Sequence, residues 1–419
     1  MPGMRQTRRA GGSLLQFGIV MAACGIAAAQ QLPPATAQVP AAIPPWVAVT
    51  PIEPPVTPLP SEEASADVTR FSFFGYGDTR SGTPQPGVSG DGVVVHPEHT
   101  RIVDRMIATA AGLKSTPFPV RFVLQSGDAV LRGQNAPMWN VSFTPIIERL
   151  TRGANIPYFF AAGNHDVGTM PPGDPGRAVG LHNTLTAMSK VIPPEGSPRR
   201  LSGYLTYAFG YGNAFVIAID SNIASDVIQL SWVTDQLERL DRARYKHVIV
   251  FFHHPPYSSG PHGGGSAEPV PGTGRKAPDR VEAQTVAIRA LYMPLFRKHH
   301  VRLLVTGHDH LFDHWVERYD DKGVTYRIDT VITGGGGAPL YGYIGEPDLR
   351  AYIAASPAEN IRMEHLVRPG DTAATNPHHF TVIRVDGDRL SLEVIGTGET
   401  PYTPYSGGRS KITLSDSGS

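Results

Sequence analysis

The sequence has almost no cysteine: Cys24 is the single one among 419 residues. This rules out an intramolecular disulfide framework and a structural zinc site built from thiolates. Stability must therefore come from an apolar core and, where metal ions bind, from ligands such as imidazole and carboxylate groups. The composition suits a globular core, because 41% of the residues are hydrophobic and 18% are charged.

The sequence also lacks an excess of charge of either sign. Lysine plus arginine and aspartate plus glutamate number 37 each, and no long run of one charge is present. Binding of nucleic acid through bulk electrostatics is therefore not indicated. Histidine is frequent, with 16 residues, and the placement of these histidines carries most of the functional information.

The apolar run near the start is rather short for a membrane-spanning helix and is rich in glycine and alanine. The apolar stretch GGSLLQFGIVMAACGIAAA follows a start that contains Arg5, Arg8 and Arg9, and small residues come after it. This layout is typical of a cleaved secretory signal peptide, which we place at residues 1–30. We expect a secreted or periplasmic protein without a stable membrane span. A transmembrane anchor and a lipoprotein anchored at Cys24, within VMAAC, are the alternatives.

Proline marks the next segment. Residues 31–60 contain ten prolines, which disfavour helices and sheet ladders, so we expect a disordered, extended linker over 31–68. From about Thr69 the pattern changes to apolar strands, such as RFSFFGYGD, that alternate with helix-like stretches, such as HTRIVDRMIATAAGL. This alternation predicts an α/β domain over 69–396, followed by a C-terminal tail over 397–419.

Five predicted strands end in side chains that can bind metal ions: Asp78; Asp128; Asn164-His165-Asp166; His253-His254; and His308-Asp309-His310. Each of these alone is weak, because an acid after a strand is more often a cap or a turn residue. The carboxyl ends of strands in α/β sheets, however, are where ligands gather. Five such ends together predict a shared metal site, and carboxylates with imidazoles suit Fe, Mn or Zn.

The ordered motifs GDTR, GDAV, GNHD, HHPP and GHDH resemble those of the calcineurin-like metallophosphoesterases, and within them the purple-acid-phosphatase-like branch. The strings HHPPYSSG, TGGGGAPLY and HHFTVIRVDGD support the resemblance, which covers about residues 69–396. It implies a four-layer αββα sandwich, in which two mixed sheets are flanked by helices. It also implies a dinuclear metal centre between the sheets.

The resemblance further implies a ligand set for two divalent or trivalent metal ions, Fe, Mn or Zn. The set is Asp78 and His310 at the first ion, Asp128 bridging both ions, and Asn164, His253 and His308 at the second. His165 would be the general acid that protonates the leaving oxygen, and Asp166 would hold its ring in orientation. The implied reaction is hydrolysis of a phosphate ester by attack of a metal-bound hydroxide.

Two departures from the family pattern bear on this reading. The first motif is usually Asp-x-His, but here it is Asp78-Thr79-Arg80, and arginine is permanently charged and not a normal ligand. His96 or His99 could supply the missing ligand, and of the two we favour His99. Arg80 would either bind the substrate phosphate, as a catalytic residue, or form a structural ion pair. The iron-binding tyrosine of the purple branch is replaced by Leu131, so a purple colour is not expected.

Two alternatives to a phosphatase follow from these departures and from the breadth of the family. One is a phosphodiesterase or pyrophosphatase of the same fold. The other is a catalytically weakened surface protein that binds phosphate or metal ions, which the altered first motif keeps open. The sequence does not predict an oligomeric state.

Overall fold

The computed structural model describes residues 48–81, 93–168, 174–263, 281–347, 349–356 and 360–414. The predicted signal peptide, with Cys24, and the first part of the predicted linker lie outside these residues. All described residues belong to one compact unit, 37–419. Within them, no helix is both long enough and apolar enough to cross a membrane.

Thirteen strands occur in the described part of the chain. In chain order they are β1 (Arg70–Tyr76), β2 (Val120–Gln125), β3 (Tyr158–Phe160), β4 (Tyr207–Tyr211), β5 (Ala214–Ala218), β6 (His247–Phe251), β7 (Leu303–Thr306), β8 (Phe312–Asp321), β9 (Val324–Thr333), β10 (Arg362–Val367), β11 (His379–Asp386), β12 (Arg389–Gly396) and β13 (Lys411–Leu414). They form a six-stranded sheet, in the order β13-β12-β11-β1-β2-β3, and a seven-stranded sheet, in the order β10-β8-β9-β7-β6-β5-β4.

Both sheets are mixed. In the first sheet β1, β2 and β3 run parallel, whereas β11, β12 and β13 are antiparallel to their neighbours. In the second sheet β5, β6, β7 and β9 run parallel, and β4, β8 and β10 are antiparallel additions. The parallel strands bring their carboxyl ends to one edge of each sheet.

The helices are α1 (Pro97–Leu113), α2 (Thr144–Glu148), α3 (Asn164–Val167), α4 (Pro175–Met188), α5 (Val227–Glu238), α6 (Ala283–Ala287), α7 (Met293–Lys298) and α8 (Leu349–Ala355). Wider helical turns at Met138–Phe143 and Arg149–Gly153 flank α2, and another at Ile288–Tyr292 joins α6 to α7. Short 3₁₀ turns lie at Ser221–Ile223 and Ala373–Thr375.

The two sheets pack face to face, and helices cover their outer faces. The aromatic rings of Phe71 and Tyr211 meet across the interface at 4.9 Å. Along β6, Ile249 belongs to the core between the sheets, whereas Val248 and Val250 belong to a second core under α5 and α7. Helix α1 packs on the other sheet. The predicted αββα sandwich is therefore confirmed.

The proline-rich segment differs from the expected disordered linker in the part that the structure describes. Residues 48–68 lie along the domain surface, and we call them the strap. The side chain of Ile52 is fully buried, and its backbone N–H donates to the Ala187 carbonyl at 2.9 Å. Further along, the Glu62 carboxylate pairs with Arg199 at 2.7 Å and accepts the Tyr245 hydroxyl at 2.6 Å. Proline excluded a sheet ladder here, but it did not prevent packing.

The predicted C-terminal tail also takes part in the fold. Strand β13 extends the first sheet by pairing with β12, so that the sheet ends at Leu414 rather than near residue 396. Tyr405 is buried, and its hydroxyl lies 3.0 Å from Nδ1 of His314 on β8. The tail thus contacts both sheets.

The strap yields a stability test. Replacing Ile52 by Ala should lower the free energy of unfolding by about 2 kcal/mol, because it removes buried methyl groups and leaves a cavity. Val56, in the same strap, is 72% exposed, and Val56→Ala should change stability by less than about 0.5 kcal/mol. Chemical denaturation of the two variants measures this difference. Equal stabilities would show that the strap does not contribute to folding.

Candidate active site

The strand ends that carry the candidate ligands come from both sheets and meet at one edge of the sandwich. Asp78, Asp128 and Asn164 follow β1, β2 and β3, whereas His253 and His308 follow β6 and β7. Several hydrogen bonds join the sheets at this point, and two of them hold the ligand loops in place. The His308 backbone N–H donates to the Asp78 carboxylate at 2.9 Å. The imidazole Nδ1 of His253 donates to the Ser126 carbonyl at 2.9 Å.

Three candidate ligands adopt the left-handed backbone region that non-glycine residues avoid. Their φ angles are 59° for Asp78, 56° for Asp128 and 73° for His308. Each costs about 1–3 kcal/mol unless the surrounding structure enforces it. Such strain is concentrated at functional sites, and here it turns each side chain away from its strand and toward the others.

Glycines allow the ligand loops to approach each other closely. A Cβ atom at Gly163 would overlap the carboxylate and the backbone nitrogen of Asp128, and one at Gly307 would overlap the carboxylate of Asp78. Neither glycine has a positive φ. The glycines of GNHD and GHDH are therefore required by close packing against a carboxylate rather than by an unusual backbone angle.

Four side chains predicted to bind the second metal ion converge on one point, which we call the second metal position. Nε2 of His253 lies 2.9 Å from Oδ1 of Asn164, 3.1 Å from Nδ1 of His308 and 3.4 Å from Oδ1 of Asp128. The other ring nitrogen of His253 donates to a carbonyl, so the neutral ring presents a lone pair at Nε2. Nε2 of His308 likewise faces the Glu282 carboxylate at 2.9 Å, which leaves a lone pair at Nδ1.

This donor set fits a metal ion. Two imidazole lone pairs, an amide oxygen and a carboxylate oxygen point at each other, and without a cation between them they would repel. All four are oxygen or nitrogen donors of the kind that Fe, Mn and Zn accept. The hydrogen bonds to Ser126 and Glu282 fix the ring orientations, as is common for the second shell of metal sites.

His165 lies beside this position, but Asp166 does not hold its ring as expected. Nδ1 of His165 donates to the Leu131 carbonyl at 2.8 Å, and Nε2 points toward Oδ2 of Asp128 at 3.9 Å. The Asp166 carboxylate instead accepts backbone N–H groups from the loops that carry the ligands: those of Asp128, Ala129, Val130 and Gly163. Asp166 therefore shapes the loops, and a carbonyl orients the ring.

His99, which we favoured as a replacement ligand, is placed elsewhere. Its ring stacks on Phe143, and Nε2 lies 3.3 Å from the Tyr76 hydroxyl, under α1 in the core of the first sheet. His96 caps α1, because its Nδ1 accepts the backbone N–H of Glu98. Both histidines therefore have structural roles, and neither supplies the metal ligand that the family pattern has at the position of Arg80.

A second group of side chains, missed as a group from the sequence, flanks His308. We call His254, His262 and Glu282 the outer cluster. Glu282 lies 2.9 Å from Nδ1 of His262 and 3.9 Å from Nε2 of His254. Burial would lower the pKa of His262, but the hydrogen bond to Glu282 raises it to about 8. His254 was visible in HHPP, whereas no motif marks Glu282.

The model of the calcineurin-like phosphoesterases matches residues 101–312, half of the chain and most of this site. The chain belongs to the calcineurin-like phosphoesterase family. It is thus a metallophosphoesterase, and the family implies a dinuclear metal centre. No curated protein matches the chain in sequence.

The chain is also similar to several solved structures. A purple acid phosphatase from yellow lupin (Lupinus luteus) seeds superposes with a TM-score of 0.52 at 17% identity, over 86% of this chain and 55% of its own. This chain therefore spans about half the length of the lupin protein. GAP50, the anchor in the inner membrane complex of Plasmodium, has a TM-score of 0.46 at 15% identity, over 84% and 90%. A dimetal phosphatase from Danio rerio has 0.46 at 13%, over 83% and 99%.

The first metal position of this phosphoesterase differs from the second. Asp78, Asp128 and His310 come together, with Nε2 of His310 3.5 Å from Oδ1 of Asp78. The Arg80 side chain, however, lies among them. Its Nε is 3.5 Å from Oδ2 of Asp128, and one terminal nitrogen is 3.5 Å from Nε2 of His310. A buried guanidinium between two expected ligands does not fit a metal ion at the same place.

The protonation states at the centre follow from burial and from charge. Burial raises the pKa of Asp78 to about 7. Burial would also raise the pKa of Asp128, but the surrounding imidazoles and the Arg80 guanidinium hold it below its ordinary value. Burial lowers the pKa of His310 to about 3, so this ring is neutral at neutral pH. Neutral imidazole and ionised carboxylate are the forms that bind metal ions.

The close packing of the ligand loops is testable at Gly163. Gly163→Ala should lower metal affinity by at least tenfold, because the added methyl group displaces the Asp128 carboxylate. Gly112, near the end of α1, has no atom near its Cβ position, and Gly112→Ala should leave metal affinity unchanged and add about 0.5–1 kcal/mol of stability. Competition with a fluorescent chelator measures the affinity. Unchanged binding in Gly163→Ala would contradict the packing argument.

Proposed function

We propose that this protein is an exported metal-dependent phosphoesterase that hydrolyses phosphate esters, with His165 as the general acid. The observation that supports this most directly is the second metal position, where four donor atoms from both sheets converge beside an accessible imidazole. Family membership supports the class of reaction. The substrate proposed is a phosphate ester whose leaving group is an alcohol or a phenol.

The chemistry divides between the bound metal and the chain. Asp128, Asn164, His253 and His308 would hold a metal ion, which would supply Lewis-acid polarisation and lower the pKa of bound water. The side chains of the chain position the substrate and move a proton. Arg80 offers N–H donors and a permanent positive charge, which suit a phosphoryl group. Asp166 keeps the loops in place through backbone hydrogen bonds.

The proposed role of His165 rests on its tautomer and exposure. Nδ1 donates to the Leu131 carbonyl, so the ring must first take up a second proton, at Nε2, and that is the proton it would deliver to a leaving oxygen. The side chain is 21% exposed, whereas that of Asp128 is 2% exposed. A substrate can therefore reach the imidazole from solvent, with the buried carboxylate behind it.

A second candidate function, a phosphate- or metal-binding protein of weak activity, is favoured by one observation. Arg80 replaces a histidine of the family pattern and contacts two expected ligands of the first metal ion. Metal binding without turnover of any ester would favour this candidate. Turnover would exclude it, and comparison of a monoester with a diester would then define the subclass.

Export is part of the proposal and is supported by residues 1–30 alone, with their basic start and apolar stretch. We expect cleavage to remove Cys24, so that the mature protein contains no thiol. The intact mass of protein recovered from outside the cytoplasm measures this. A lipid-modified Cys24 would favour the anchored alternative, and an uncleaved start would contradict export by a cleaved signal.

The general acid is tested by the leaving group. In His165→Ala, kcat for an alkyl phosphate should fall by about 10²–10⁴-fold, because an alkoxide needs a proton to leave. The loss should be much smaller for p-nitrophenyl phosphate, because its phenolate leaves without a proton. Metal content should stay unchanged.

The control is His300→Ala. His300 pairs with Asp321 at 3.0 Å and stacks on Tyr326, on the hairpin of β8 and β9. Its replacement should leave both rates unchanged. Equal losses for both substrates in His165→Ala would mean that His165 acts on binding or on metal retention rather than as the acid.

A further inference from the structure

The position of Arg80 carries an inference beyond the proposed function. Its backbone N–H donates to the Asp128 carbonyl at 3.0 Å, and its own carbonyl accepts Nε2–H of His96 at 3.1 Å. The backbone of Arg80 is thus held in place by hydrogen bonds at its N–H and at its carbonyl. The side chain is 11% exposed, so the guanidinium is part of the interior of the centre and not of its rim.

The guanidinium uses the atoms that a first metal ion would need. Nδ1 of His310 donates to the Pro339 carbonyl at 2.6 Å, so the neutral ring has its lone pair at Nε2, the atom that faces Arg80. Oδ2 of Asp128 faces Arg80, whereas Oδ1 faces the second metal position. Both acceptors on the Arg80 side are therefore directed at a cation that the chain itself provides.

A metal ion and a guanidinium cannot share these acceptors. A ligand atom binds a metal ion at about 2.0–2.2 Å with its lone pair. Here the lone pair at Nε2 of His310 faces an Arg80 N–H at 3.5 Å, and Oδ2 of Asp128 forms an ion pair with the guanidinium. Two like charges at this distance in a buried site would also repel strongly. Among the described residues, no guanidinium contacts the second metal position, where three donor atoms lie 2.9–3.4 Å from Nε2 of His253.

We propose that this centre binds one metal ion, at the second position, and that the Arg80 guanidinium is the resident cation of the first. The exchange keeps a positive charge beside Asp128 without a metal ion. The stoichiometry does not depend on the proposed hydrolysis, since it is measured without substrate.

The experiment is metal stoichiometry on the purified full chain. The protein is saturated with Mn²⁺, desalted and analysed by elemental mass spectrometry, with circular dichroism as a check of folding. We expect one ion per chain in the wild type and two in Arg80→His, which restores the family ligand. The Mn²⁺ electron paramagnetic resonance spectrum should change from that of an isolated ion to that of a coupled pair.

Two further variants test the proposal if Arg80→His does not fold. His310→Ala should still bind one ion, because His310 belongs to the first position, whereas His253→Ala should lose the ion. Two ions, or none, in the wild type would overturn the proposal. One ion in a folded Arg80→His would overturn the guanidinium as the cause. A one-ion protein without turnover would refute the proposed hydrolysis and leave this inference standing.

Discussion

The buried negative charge of Asp128 is the constraint on which the centre depends. Its side chain is 2% exposed, and an unpaired carboxylate in such surroundings costs several kcal/mol. Cationic or N–H groups must therefore surround it, and the chain supplies the His165 backbone N–H at 3.0 Å and the Arg80 guanidinium. A fold that buries this carboxylate between two sheets requires cations at their common edge.

The sheets in turn enforce the strained loops that place this charge. Left-handed backbone angles at Asp78, Asp128 and His308 would relax in an isolated loop. Here Asp166 binds four backbone N–H groups of the loops after β2 and β3, and Asp78 binds the backbone of the loop after β7. Carboxylates that look like candidate ligands in the sequence thus also act as anchors for the backbone. Catalytic geometry and fold stability share the same groups.

The sequence predicted the structure well where apolar residues lie inside strands and polar residues lie at the strand ends. Apolar strands ending in Asp or His predicted an α/β domain with a shared metal site, because strand ends meet at one edge, whereas the αββα sandwich was implied by the family resemblance. Strands β8 and β9 were not predicted, because buried charged residues interrupt their apolar ones: Glu317 pairs with Arg297, and Asp329 pairs with His314. Paired charges hide the alternation that marks a strand. Neither the tautomers nor the carbonyl that orients His165 can be read from residue type.

A guanidinium is not equivalent to the metal ion it would replace. It carries one charge, donates hydrogen bonds and has no coordinated water. Asp78, which a first metal ion would otherwise bind, directs both oxygens to the His308 N–H at 2.9 and 3.1 Å. The carboxylate that a first metal ion would bind thus already joins the loop after β1 to the loop after β7.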